Sequence, residues 1–386
     1  MRVTHVITRL IIGGAQENTV ATVLGLQDRP GLQVNLIAGP TAGPEGSMES
    51  AFANHPHLFT VVPSLVRPIA PVRDALAWMC LERIFRAARP AIVHTHSGKA
   101  GILGRLAARR AGVPVIIHTI HGPSFGPFQR TLPNLAFRAA ERRAARATTH
   151  FISVADAMTR QYLDAGIGRP GQFTRIFSGF ALAPFLAARD DPALRARLGI
   201  GPDDFVVGKI ARLFKLKGHD DLIDAAPAVL ERHPKTKFLL VGDGVLRKHL
   251  EQRIRSLGLK NSFIFAGLIP PGEIPGLLGV MDVVAHLSRR EGLARALPQA
   301  LAAGRPVVAC DCDGAGEVCF SDRTGFLIHP GDRAALAGRL LQLAEDKALR
   351  QRLGQCGQDF VRQHFAVETM VDNIYALYRQ LAPDYP

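Results

Sequence analysis

FVVGKIARLFKLKGHDDLIDAAPAVLERH, residues 205–233, changes character twice. Its first seven residues are apolar but for Lys209, with two valines and an isoleucine, the composition of a strand buried on both faces. Arg212 to Gly218 is a short loop carrying Arg212, Lys215 and Lys217. From His219 the apolar residues recur at helical spacing. A strand, a basic loop and a helix in that order form half of a βαβ unit, and so predict a parallel sheet covered by helices. In such sheets ligands sit beyond the carboxyl ends of the strands, where helix N-termini offer unpaired N–H groups to anions. The informative residues are therefore those just after each strand.

Working outward, the alternation continues through KFLLVG (237–242), SFIFAG (262–267), DVVAHLS (282–288), RPVVAC (305–310) and GFLI (325–328). Upstream it runs through RVTHVIT (2–8), LQVNLIA (32–38), AIVHTH (91–96), VPVIIHTI (113–120) and HFISVA (150–155). Two sheets are expected, with residues 1–180 as one domain, a linker at 181–204 holding a short helix over 190–198, and a second domain at 205–360. A closing helix over about 361–381 can cross back to the first domain. A length of 386 residues, 47% hydrophobic, is ample for two cores. No run reaches the roughly 18 to 20 apolar residues of a membrane helix. Five cysteines without a disulfide spacing suit a reducing compartment, so the chain is placed in the cytoplasm or at the inner face of the cytoplasmic membrane.

The net charge of +14 is concentrated: residues 1–180 hold 20 Lys/Arg against 9 Asp/Glu. Much of the excess lies between Arg105 and Arg146, on one or two amphipathic helices, where it suits an anionic membrane surface or an acidic acceptor, or else a solvated arginine-rich face. No base-stacking or helix-turn-helix pattern accompanies it, which argues against nucleic acid.

Arg212 and Lys217 flank a helix N-terminus, an arrangement suited to a diphosphate: arginine grips oxygens with a planar fork, lysine adds a compact charge, and both can meet charge on a departing group. Glu291 follows the strand ending at Ser288. A carboxylate there can accept hydrogen bonds from sugar hydroxyls while the N–H groups of Gly292, Leu293, Ala294 and Arg295 face phosphate. Pro298, within the helix that follows, requires a late helix start or a kink.

The chain resembles glycosyltransferase family 4, the retaining GT-B enzymes. The resemblance covers nearly its whole length, through GGAQ (13–16), HTHSGKAGILGRLAARRAGVPVIIHTIHG (94–122), ISVADAM (152–158), AR-x4-KG (211–218), VGDG (241–244), FAG (265–267) and EGLARALPQALAAGRPVVA (291–309). It implies an α/β fold of two Rossmann-like, doubly wound domains facing a central cleft. It also implies transfer of a hexosyl group, with retention, from a UDP- or GDP-sugar to a glycan or lipid-linked acceptor in cell-surface polysaccharide or glycolipid synthesis. By the same resemblance Arg212 and Lys217 hold the diphosphate, Glu291 holds sugar hydroxyls, and Gly242, Asp243, Gly244, Phe265, Ala266 and Gly267 border the nucleobase. His121 faces the transferred sugar, and Gly13 and Gly14 let backbone approach donor and acceptor. No cofactor and no catalytic metal are implied.

One departure stands out: the second acid of the family's paired-acid motif is Gln299 here, which can still hydrogen-bond hydroxyls but carries no charge. It keeps open an alternative, a catalytically silent scaffold that binds a sugar nucleotide. Three look-alikes are set aside. Asp311-Cys312-Asp313 has the form of a DxD metal motif but falls where the family has a variable loop. His94-x-His96 puts two ring nitrogens on one strand face but shows no third ligand in sequence. GGAQEN is not G-x-G-x-x-G, and no acid ends the following strand to hold a ribose.

Overall fold

The computed structural model describes residues 1–41 and 46–385. They form two compact units, Met1–Phe180 with Val367–Pro386, and Ala181–Ala366.

The first unit is built on seven parallel strands: β1 (Arg2–Ile7), β2 (Gln33–Ala38), β3 (Phe59–Val61), β4 (Ile92–His96), β5 (Val115–Ile120), β6 (His150–Ser153) and β7 (Phe173–Arg175), in the order β3-β2-β1-β4-β5-β6-β7. The second has six: β8 (Phe205–Ile210), β9 (Thr236–Val241), β10 (Phe263–Gly267), β11 (Val283–His286), β12 (Val307–Cys310) and β13 (Gly325–Ile328), in the order β10-β9-β8-β11-β12-β13. In both sheets the strand order reverses beside the first strand of the unit, between β1 and β4 and between β8 and β11. The crevice at such a reversal is where doubly wound sheets take ligands. The central strands are buried on both faces, which is why they read as continuous apolar runs. The edge strands β3 and β7 have three residues each and carry no such signal.

The stretch 181–204 is packed structure of the second unit rather than a bare linker. Its helix spans Pro192–Arg197, capped by Asp191, whose Oδ1 accepts from the Ala193 and Leu194 amides. Arg195 holds the stretch down: its buried guanidinium donates to the carbonyls of Gly201, Asp204 and Val280. The closing helix also begins later than the periodicity suggests. A helix over Lys347–His364 ends at Phe365, fully buried against Phe360, and the chain turns before a separate helix, Val367–Leu381. That last helix completes the core of the first unit. Met370, Val371, Ile374, Leu377 and Tyr378 lie on one face and are buried. Gly25 gives Val371 its place, since a Cβ there would stand 2.6 Å from the valine methyl.

Candidate active site

In the second unit the predicted residues gather at the β8–β11 reversal. The loop after β8 has two left-handed residues, Leu216 and Gly218. Gly218 caps the helix His219–Arg232, and it passes so close to β11 that a Cβ would lie 2.2 Å from the Leu287 carbonyl oxygen, so only glycine fits there. The Arg289 amide donates to the Leu216 carbonyl at 2.8 Å, tying this loop to the one after β11. Between these ties Lys217 Nζ donates to Glu291 Oε1, with Ser288 Oγ on the same oxygen at 3.1 Å. Both side chains are mostly covered, at 17% and 29% exposure. Burial by itself would push the Glu291 carboxyl up, but Lys217, His286 and the Ser288 hydroxyl outweigh it and hold the group below the usual carboxylate range. Arg212 stands apart from this pair: it is exposed, its guanidinium lies over the Phe214 ring, and it bonds to neither Lys217 nor Glu291.

The turn after Glu291 answers the question posed by Pro298. Gly292, Leu293 and Ala294 precede the helix, which starts only at Ala296, so Pro298 is its third residue. Proline at that place removes an N–H that has no intrahelical partner, and no kink is needed. Gln299 is half-buried on the same helix. Gly242 is left-handed, and a Cβ there would meet the Ala211 carbonyl at 2.2 Å, so the loops after β8 and β9 lie against each other. Asp243 accepts from the Gly244 amide and from Arg247, whose guanidinium also covers Phe265. Ala266 and Gly267 follow on β10, and Gly267 bonds back to Gly242 at 2.8 Å.

In the first unit, Gly13 precedes the helix Gly14–Leu26 at the end of β1, and its backbone is extended, a conformation open to any residue. What glycine supplies here is room, since a Cβ would meet only the tip of Gln16. His121 follows β5, partly exposed, with Nε2 3.2 Å from His96 Nδ1.

Several neighbours of the Lys217–Glu291 pair have roles that the sequence does not give. Asp313 accepts from the Glu291 amide at 2.6 Å, and the Gly314 amide donates to the Gly292 carbonyl, so the loop after β12 clamps the Glu291 turn. Asp221 receives Arg289 at 2.9 Å on both oxygens. Lys209, buried in β8, is lowered to about 7 by burial, and His286 to about 4 for the same reason.

Residues 190–360 match the family described as glycosyl transferases group 1, and residues 13–176 match the glycosyl transferase 4-like domain. An Escherichia coli UDP-Gal:alpha-D-GlcNAc-diphosphoundecaprenol alpha-1,3-galactosyltransferase is 30% identical over 326 residues, covering 82% of either chain. This chain belongs to the group 1 glycosyltransferases. The alpha-D-kanosaminyltransferase of Streptomyces kanamyceticus is 27% identical over 80% of this chain and 82% of its own. The solved structure of Anabaena HepE in complex with UDP-glucose is 27% identical and superposes with a TM-score of 0.82 over 98% of this chain and all of that one. The fold is thus the two-domain GT-B architecture, and the protein is an enzyme.

The basic segment of this glycosyltransferase needs one correction. Arg105 is fully buried, bonded to Glu141 at 2.6 Å, to Thr148 and to the Gly101 carbonyl. Such partners offset the hydration that a buried guanidinium gives up, and it takes no part in a surface field. Arg130, Arg142, Arg143 and Arg146 are exposed, together with Leu132 at 78% and Leu135 at 55% on the helix Thr131–Ala145. Among the described residues no helix is long and apolar enough to cross a membrane.

Proposed function

We propose that this glycosyltransferase moves a hexosyl group, with retention and without a catalytic divalent ion, from a UDP-sugar to a glycan or lipid-linked acceptor in cell-surface polysaccharide or glycolipid synthesis. The observation that carries the proposal is the Lys217–Glu291 pair at the β8–β11 reversal. Each of these groups holds the other in place. A donor replaces the pair: its diphosphate takes Lys217, its sugar hydroxyls take Glu291, and the exposed Arg212 closes on the phosphates. These cations and the helix N-termini then meet the charge that a metal would otherwise meet. The uracil base is favoured by UDP in the Anabaena structure and UDP-Gal in the Escherichia coli relative's name. Attack from the leaving-group side, with a phosphate oxygen accepting the acceptor's proton, retains the anomeric configuration without a protein nucleophile.

The exposed arginines and leucines of Thr131–Ala145 support docking at the anionic inner face of the cytoplasmic membrane, toward a lipid-linked acceptor. Co-sedimentation with anionic vesicles should weaken in a variant with Arg142, Arg143 and Arg146 changed to Ser; unchanged sedimentation removes the membrane from the proposal. The donor reading is tested by thermal shift in EDTA with UDP-, GDP- and ADP-sugars. Stabilisation by a UDP-sugar, lost in an Arg212→Ala/Lys217→Ala double variant, is expected; stabilisation only on adding a divalent ion contradicts it.

A further inference from the structure

On the face of the first sheet that lies under the C-terminal helix, four buried polar side chains stand together among apolar ones: His5 on β1, His94 and His96 on β4, and Thr119 on β5. Strand register brings them together. His5 stands opposite His94, His96 opposite Thr119, and residues two apart on a strand share a face. None is more than 3% exposed. The helix Val367–Leu381 sets Tyr378, also fully buried, against them.

Their polar atoms form one unbroken line. Thr119 Oγ1 is 2.6 Å from His94 Nε2, and His94 Nδ1 is 2.5 Å from the Tyr378 hydroxyl. That hydroxyl is 3.2 Å from His5 Nε2, and His5 Nδ1 is 3.0 Å from His96 Nε2. His96 Nδ1 then reaches His121 Nε2 at 3.2 Å. The rings are neutral, because burial lowers His5 to about 3 and His121 to about 4 and depresses His94 and His96 strongly.

A neutral imidazole has one N–H and one lone pair, so with the Tyr378 hydroxyl relaying, the line has two senses; a third wiring, in which that hydroxyl accepts from both rings, leaves its own buried proton without an acceptor. Starting from the Thr119 hydroxyl, each group donates to the next: Thr119 to His94, His94 to Tyr378, Tyr378 to His5, His5 to His96, His96 to His121. His121 then accepts at Nε2 and carries its proton on Nδ1. In the opposite sense Thr119 becomes an acceptor, and its own hydroxyl proton has no acceptor among the described residues. A buried donor without a partner is what folded proteins avoid, so the first sense prevails.

We propose that Thr119, His94, Tyr378, His5 and His96 are a one-way hydrogen-bond line that fixes His121 as the Nδ1–H tautomer, a donor to a sugar hydroxyl or phosphate oxygen. The five are positioning residues acting through His121. The role of His121 in transfer rests on the proposed function; its tautomer does not. The same cluster has metal-site spacing, with ligand atoms of His5, His94 and His96 within 4.8 Å of one another. Those nitrogens are already engaged along the line, and a metal would have to break it.

The test uses the full chain with 15N-labelled histidine rings, whose shifts show which nitrogen is protonated; the His121 signals are those lost in His121→Ala. Wild type should show His121 protonated at Nδ1, and Tyr378→Phe, which keeps the ring and removes the hydroxyl, should give a mixture of tautomers. Thr119→Val repeats the test from the other end should Tyr378→Phe fail to fold. An Nε2–H tautomer in wild type, no change in a folded variant, or stoichiometric zinc uptake that moves the His5, His94 and His96 signals overturns the proposal. In turnover, Tyr378→Phe should lose about tenfold in kcat, and nothing further in a His121→Ala background. Equal losses in both backgrounds would mean the hydroxyl does not act through His121. If no donor is turned over, the tautomer result still stands, and the failure belongs to the proposed function.

Discussion

Both sheets offer a crevice where their strand order reverses, and the two crevices are furnished in opposite ways. The second unit meets charge with charge: Lys217 lies on Glu291, Arg289 on Asp221, and Asp313 holds the amide of the turn. The first unit brings histidines to its crevice, with His96 and His121 at the strand ends backed by the buried His5 and His94, and holds their rings neutral. One architecture therefore supports two chemistries. A crevice of paired ions can exchange partners with an anionic ligand, while a crevice of neutral rings can only present a fixed pattern of donors and acceptors.

The contrast is most exposed at Glu291. Glu291→Ala should lower turnover about a thousandfold with the fold intact, since it removes the sugar's acceptor and leaves Lys217 unpaired; a loss under tenfold would show that the ion pair only supports the loop. Asp313→Ala should cost about tenfold in turnover by freeing the Glu291 turn, an effect on positioning like that of outer-shell partners at metal sites. Asp313→Asn keeps an accepting oxygen and should stay near wild type, and equal damage from both would assign Asp313 a charge-dependent role instead.

Acid should strain both units, through His5 and His121 in the first and His219 and His286 in the second. A histidine held near 3 or 4 when folded binds its proton more readily when unfolded, where its value is about 6.5. The stability it contributes is present above about pH 6.5 and is lost as pH falls toward about 4. The melting temperature should drop by about 3–5 °C per pH unit for each such group in that window, and His5→Gln should flatten the slope. The opposite sign is expected at Lys209, lowered to about 7 from 10.5. Its folded-state penalty is full at pH 7 and disappears as pH rises past about 10. Lys209→Met should therefore raise the melting temperature at pH 7, with a gain that shrinks in alkali.

Which of these parts could be read beforehand follows from how local each one is. The central strands and the Arg212, Lys217 and Glu291 loops are legible because strand, turn and helix are written consecutively. The three-residue edges β3 and β7 are not, being shorter than any period. Asp313 was visible only as part of a metal look-alike, because its partner is the amide of a residue 22 positions away on another loop. His94 and His96 were visible as a pair, but their neighbours are not: His5 lies 91 residues from His96, and Tyr378 lies 373 from His5. Arg105 shows the converse failure. Charge read along a helix looks like surface, and only Glu141 beneath it reveals a buried pair.

The return of residues 367–385 to the first unit also sets an order of assembly during translation. The ribosome releases Ala181–Ala366 as one continuous stretch, able to fold as it emerges. The first unit must wait, its core open along the groove meant for Met370, Ile374 and Tyr378, for the roughly ten to forty seconds needed to make the intervening residues. A nascent chain stalled before the last helix would thus carry a finished second unit and an unfinished first one, and that exposed groove is where a chaperone would be needed.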